Sequence, residues 1–380
     1  MIEGLKLNIP QRLALLKSVL LLSLLGSVFF SFSLWSGVRD FPLVPLWEWA
    51  VAPLYTHWIL FFLLVFSWFA ALFSKFPRLF LFFSLLLSFV LVSMDINRLQ
   101  PWFYLYSVML LLLLFYNGRV DNPNTYTSFF VVLQFVLASV YFFSGLSMFN
   151  PDFVQGAYRE IVLPLKQVMS DRQFSFIVNT GKVVPFLFVF SGLALSIESV
   201  RFLAIALMSV IHILLFVLLF PFVGEKSHAL WLSNLSFVFI LFLLFSGKIK
   251  QRYFSPLTLL QKPAFYPVLL VFLVFPFFNR NGLWPDYMSS NLKSGNNLRV
   301  QVTLSETAYT KLPESIKKFC RHENFNYRIN YKAWSESEFH AECFPHRLVF
   351  QKMYTYLLSK SGNRAEEINM VLLPRDKFLY

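Results

Sequence analysis

Apolar stretches about as long as a lipid bilayer is thick recur along this chain, and they constrain its fold more than any motif does. "LALLKSVLLLSLLGSVFFSFSLW" and "HWILFFLLVFSWFAALF" are examples. A helix needs about 20 mostly apolar residues to cross hydrocarbon, and in lipid each backbone polar group must find its partner inside the helix. Apolar runs bounded by Pro, Gly, Asn and charge predict about nine spans, with cores near 14–36, 56–74, 79–94, 102–117, 128–147, 183–199, 202–223, 229–247 and 264–279. Of the 380 residues, 57% are hydrophobic and 14% charged, against roughly 25% charged in a soluble domain. The expected fold is an all-α polytopic membrane bundle over 1–279, followed by a small C-terminal α+β extramembrane domain over 280–380. The N-terminal stretch resembles a signal peptide, but its apolar core is too long and no small-residue cleavage site ends it. It is expected to stay as the first helix.

The formal charge of +13 does not point to nucleic acid. The basic residues fall in loops between apolar runs and in the tail, with no basic helix or RNA-type aromatic motif. They fit topogenic charge and attraction to anionic headgroups. With the N-terminus inside, Lys6, Arg12, Lys75, Arg78, Arg119, Arg201, Lys248, Lys250, Arg252 and Lys262 share one side. The other side then holds the Asp95–Pro101 turn, the 148–182 segment, the 224–228 loop and the tail. The N-terminus is then cytoplasmic and the tail lies outside. Residues 37–55, rich in Trp and Pro, suit an interfacial segment. Residues 148–182 suit one or two short amphipathic helices at the membrane surface.

In the tail, "RVQVTL" and "NYRINYKAW" alternate as strands do, and "INMVLLPRD" reads as a last strand. "PESIKKFC" and "RLVFQKMYTYLLSKSG" read as helices, the second closing at Gly362. The chain's two cysteines, Cys320 and Cys343, lie here. In an oxidising compartment they are a candidate disulfide, with unpaired thiols as the equal alternative. His322, His340 and His346 lie near them, but "CRH…HAECFPH" lacks the paired short spacings of a zinc site, and no metal is expected.

Polar residues at membrane depth are costly and mark cavities or helix contacts. Asp95 and Arg98 either bind a ligand or lock their turn. His212 is either a ligand-facing group or a helix-to-helix hydrogen bond. His57, near a span end, is expected at the interface. No P-loop, dinucleotide fingerprint, HExxH or GxSxG occurs.

"YFFSGLSMFNPDFVQG" (141–156) resembles the signature of the vitamin K-dependent gamma-carboxylase family and its bacterial horizontally transferred transmembrane (HTTM) relatives. Tyr141, Phe142, Gly145, Asp152 and Gly156 match it, with Phe153 where Trp is usual. "MDINRLQPWFYLYSVMLLLLLF", "HILLFVLLFPFVGEKSHALWLSNLSF" and "LWPDYMSSNLKSGNN" resemble further family segments in matching order. The likeness covers about residues 10–297 and leaves the tail without a counterpart. It implies a cavity near Trp102, Met148, Trp231 and Asn234. It also implies that the family's base lysine is replaced by Met148, whose thioether takes no proton, and its upstream histidine by Trp102.

Two functions therefore compete. One is a noncatalytic component of the cell envelope that binds lipid, quinone or a protein partner. The other is a quinol-linked or protein-modifying enzyme using Asp95, Arg98, Asp152 and His212. A transporter is weaker, since the spans carry few charges and show no inverted repeat. No cofactor is expected, while a quinone or isoprenoid lipid stays open as a ligand. Partners are membrane lipids and, through 280–380, a periplasmic or membrane protein.

Overall fold

The computed structural model describes residues 7–116, 123–220, 228–246, 260, 262–291, 294–323, 325–362 and 364–373. Lys6, Arg119, Lys248, Lys250, Arg252 and residues 224–227 of the expected outer loop lie outside these. Among the described residues, seven helices are long and apolar enough to cross a membrane, and two shorter apolar helices accompany them.

The first helix, α1 (Ile9–Phe30), starts at a capping box in which Asn8 and Gln11 satisfy each other's backbone N–H. A short α2 (Phe32–Ser36) follows, then the irregular 37–53 stretch, where Trp47 and Trp49 stack 5.3 Å apart on the surface. Next come α3 (Leu54–Phe73) and α4 (Pro77–Met94), which pair along their lengths and turn Phe62, Phe66, Phe82 and Phe89 outward. The 15-residue α5 (Pro101–Phe115) follows the Asp95–Gln100 turn.

The central helix is α6 (Pro123–Ser147). Its span is 72% buried, against 22–44% for the other six, so it packs against neighbours on nearly every side. Helices in lipid gain little from apolar burial and associate through close packing instead. Here α6 meets α9 (Val184–Ala194) through Gly145 and Gly192. A Cβ on Gly145 would lie 2.6 Å from the Val189 nitrogen, and one on Gly192 2.6 Å from the Phe142 nitrogen. Only hydrogen fits at either crossing point.

Between α6 and α9 the chain forms a π-helical turn (Phe153–Tyr158), α7 (Arg159–Val162), a 3-10 turn (Leu163–Gln167) and the amphipathic α8 (Asp171–Thr180). Ser170 caps α8 through a second capping box, and its Phe174 and Val178 pack on Val162. A span was expected to start near 183, whereas the apolar helix runs over Asp171–Ala194. The polar residues of α8's outer face hid its buried stripe. The bundle closes with α10 (Glu198–Leu218), α11 (His228–Phe245) and a mixed helical segment, Pro263–Asn281.

The tail carries a four-stranded antiparallel sheet, β1 (Arg299–Leu304), β2 (Cys320–Glu323), β3 (Asn326–Ile329) and β4 (Ile368–Leu373), in the order β2-β3-β1-β4. Helices Tyr331–Phe339 and Arg347–Ser361 accompany it, the latter ending at Gly362 in the left-handed region. The expected strand 326–334 stops at Ile329, because the Asn330 side chain accepts from Ala333 N and opens a helix there.

The tail docks on the bundle end that bears the 37–47 stretch, the 95–100 turn and the 148–153 break. Phe344 N donates to Asn97 Oδ1 (3.0 Å), Gln100 Nε2 to the Glu342 carbonyl (3.0 Å) and Asp40 N to Glu338 Oε2 (2.8 Å). Phe41 packs between Trp334 and Phe339, and Arg299 pairs with Asp152 at 2.6 Å. One buried core runs continuously from bundle to tail. At the opposite end, the Arg12 guanidinium donates to the Ser246 carbonyl, Lys17 Nζ to Ala71 O (3.1 Å) and Arg78 to Tyr116 O (3.0 Å).

The candidate disulfide is not formed: Cys320 and Cys343 are free thiols. Cys320 sits on edge strand β2, its thiol turned to the Ile316 carbonyl (3.8 Å). Cys343 is buried at the docking seam, its N–H donating to Ser335 Oγ (3.1 Å) and its carbonyl accepting from Tyr287. Burial pushes the Cys343 thiol up to about 12 and the Cys320 thiol up to about 11, so thiolate is scarce at neutral pH.

Alkylation without reductant should therefore add two labels to the denatured protein and modify Cys343 slowly in the native one. Failure to add both labels without reductant would reveal a bond the fold does not make. Asn97→Ala should loosen the tail by about 1–3 kcal/mol, since it strands the Phe344 N–H, and should speed proteolysis between residues 281 and 299. An unchanged cleavage rate would show that docking does not depend on Asn97.

Candidate functional site

Two π-helical turns, Phe153–Tyr158 and Leu270–Val274, flank a cavity of about 560 Å³ inside the bundle. Such turns recur beside functional sites because the widened coil re-aims side chains. The walls come from α5, α6, α9, α10 and α11, and Tyr287 and Ser290 close the end nearest the tail. Tyr141 and Ser144 on α6, and Met148 just past its end, fall at helical spacing and line the cavity. Among the described residues, the lining includes no carboxylate, lysine or arginine.

The polar groups on this wall form one directed chain. Asn234 Nδ2 donates to the Leu230 carbonyl (2.8 Å), which leaves Oδ1 facing His212 Nδ1 at 2.9 Å. An amide oxygen only accepts, so Nδ1 carries the imidazole proton and the neutral ring's Nε2 is an acceptor. Tyr141 Oη lies 2.9 Å from Nε2 and must donate to it. Phe237 fixes the ring plane by stacking on His212 at 4.8 Å and 2°. Nearby, Tyr104 stacks on Phe272 at 5.8 Å. The Trp102 indole N–H and the Tyr104 hydroxyl are buried without a hydrogen-bond partner.

Trp102, Met148, Asn234 and His212 line one cavity. Trp231 does not line it. It stacks on Phe216 at 4.9 Å and meets Phe30 edge-on at 5.5 Å, because one residue of helix turns it about 100° from Leu230. Asp152 lies behind the π-turn, in a separate polar cleft of about 300 Å³ lined also by Glu160, Arg299, Lys332 and Glu342.

Asp95 and Arg98 do not line the cavity and do not pair with each other. The Asp95 carboxylate accepts from Arg39, from Val44 N (3.2 Å) and from Asn97 Nδ2 (3.0 Å). Arg98 is fully buried and donates to the Leu34, Trp35 and Leu91 carbonyls at 2.8–3.0 Å. His57 is also buried rather than interfacial, with Nδ1 accepting from Arg98 Nη2 at 2.7 Å. Every guanidinium nitrogen of Arg98 is engaged, and the turn is held by bonds to the 34–44 stretch, to α4 and to α3. Sequence reasoning also passed over Tyr141 as a polar group, although it stands in the quoted signature seven residues before Met148. In the tail, among the described residues, no group of three His, Cys, Asp or Glu could hold a metal ion.

Comparison with known proteins finds no family model, no curated protein and no solved structure that matches this chain.

The directed chain has a thermodynamic signature. His212→Leu leaves the Tyr141 hydroxyl and the Asn234 carbonyl buried and unpaired, at about 1–3 kcal/mol each. Adding Tyr141→Phe should restore part of the lost melting temperature, because it removes one orphan. Additive losses in the double variant would contradict the bond between Tyr141 and His212.

Proposed function

We propose that the chain is a multi-pass membrane protein that holds an isoprenoid- or quinone-type lipid in the cavity between α5, α6, α9, α10 and α11. The observation that carries this reading is the lining: a large apolar volume with a few polar groups gathered on one wall and, among the described residues, no charge. Sites for apolar ligands have this composition, the polar groups fixing orientation while burial supplies affinity. Met148 and Trp102 stand on the wall, and no lysine is among its described residues. The protein is then a noncatalytic member of the carboxylase-like HTTM group, and the tail is its contact module for an envelope partner. The match at Tyr141, Phe142, Gly145, Asp152 and Gly156 supports that membership.

Orientation rests on charge. Arg12, Lys17, Lys75 and Arg78 stand at the end away from the tail, which by the positive-inside rule faces the cytoplasm. The tail then lies on the periplasmic side of a bacterial inner membrane. A membrane-impermeant amine reagent should label the exposed Lys352 in spheroplasts and spare the exposed Lys75 until lysis. The reverse pattern would invert the topology.

An enzyme is the second reading, and the Tyr141–His212–Asn234 chain favours it, since linked phenol and imidazole groups can relay a proton. Asp95 and Arg98 take no part in it, and Asp152 is committed to Arg299.

Lipid mass spectrometry of the purified protein separates binding from mere solvation by detergent. An isoprenoid or quinone species should copurify with the wild type and fall at least about fivefold in Ile211→Trp, whose added ring occupies the volume that gives such a site its affinity. Equal lipid content in the two would refute the reading. The purified protein should also show no vitamin K hydroquinone-dependent incorporation of labelled bicarbonate into a Glu-containing peptide. Clear incorporation would favour the enzyme.

A further inference from the structure

The hydrogen-bond direction along the cavity wall restricts the polar end of the ligand. Asn234 is oriented by the Leu230 carbonyl, His212 by Asn234, and Tyr141 by His212. Each link leaves the next group one role. The Tyr141 proton is spent on His212 Nε2, so its oxygen presents only lone pairs to anything in the cavity. Ser144, one turn further along α6, is in the same condition, because its hydroxyl donates to the Ser290 carbonyl at 2.9 Å. Two acceptors therefore stand on one helical face. The Trp102 indole N–H and the Tyr104 hydroxyl, though unpartnered, are sealed within the wall and present nothing to the cavity.

A ligand carbonyl or ether oxygen has nothing to offer Tyr141 or Ser144. A hydroxyl does, giving its proton to either acceptor. A carboxylate or phosphate offers no proton and meets no cation among the described residues of these walls. We infer that the cavity selects a lipid alcohol, a long apolar chain or ring system ending in a hydroxyl, with Tyr141 Oη as the acceptor of that hydroxyl. This rests on the lipid-binding reading above and narrows it to one class of head group.

A matched pair of ligands tests the inference. Farnesol and farnesyl methyl ether share chain and oxygen position, and only the alcohol has a proton to give Tyr141. Binding of each to the full chain in lipid nanodiscs is measured by competition against a fluorescent isoprenoid probe. The alcohol should bind at least about fivefold more tightly than the ether, the range expected for one buried hydrogen bond. In Tyr141→Phe that ratio should fall toward one. Equal affinity of the two ligands for the wild type overturns the inference while leaving the lipid site standing. A preference that persists undiminished in Tyr141→Phe overturns the role of Tyr141. Binding of neither ligand, and no displacement of the probe, overturns the lipid site and the inference with it.

Discussion

The buried carboxylate of Asp95 is the interaction on which the tail-side end of the bundle depends. It accepts from Arg39, Val44 and Asn97, and so pins the irregular 37–47 stretch to the turn between α4 and α5. By holding the Asn97 amide through its nitrogen, it leaves Oδ1 to accept the Phe344 N–H of the tail. Next to it, Arg98 gathers the carbonyls of Leu34, Trp35 and Leu91, which end α2 and α4 without water. A buried charge is tolerable only when paired and hydrogen-bonded. This cluster meets that condition by drawing three separate stretches of chain together. The start of α5, and with it Trp102 on the cavity wall, follows from where the turn is held.

The cavity is built on different terms. Gly145 and Gly192 bring α6 and α9 into backbone contact, while the π-turn after α6 swings Phe153 and Tyr158 under the opening. The cavity's polar groups lie on its walls in a fixed direction with no charge among the described lining residues, while Asp152 meets Arg299 in the cleft behind the π-turn. The arrangement separates an apolar volume within the bundle from a polar seam shared with the tail. A binding protein needs this separation, since a charge on the apolar side would demand a partner that the ligand lacks.

The apolar runs were legible because a helix in lipid satisfies its own backbone and needs no distant partner to be recognised. The α8 portion of its span was harder to see, since Asp171, Arg172, Gln173 and Asn179 mask a stripe visible only beside Val162. The strand read through 326–334 overlooked Asn330, a residue that caps helices, placed just before Tyr331. At the site, Met148, Trp102 and Asn234 were placed through the resemblance, His212 stood out as a polar residue deep in an apolar span, and Trp231 was misplaced by one residue of helical rotation. The roles of Asp95 and Arg98 were not legible. Their polarity stands out in the sequence, but their partners are Arg39 and backbone carbonyls some 60 residues away (Leu34 and Trp35, at separations of 64 and 63), and no local pattern announces them. Free thiols at Cys320 and Cys343 were likewise a matter of tertiary placement.

The central claim is that lipid enters the bundle and does not merely coat it. A diazirine-bearing isoprenoid, photolysed with the protein in nanodiscs and mapped by peptide mass spectrometry, reports this most directly. Adducts should concentrate on Tyr141, Met148, Ile211 and Leu215, and excess unlabelled isoprenoid should suppress them. Adducts confined to outward-facing residues such as Phe66, Phe69, Phe202 and Leu203, and insensitive to competitor, would contradict the claim.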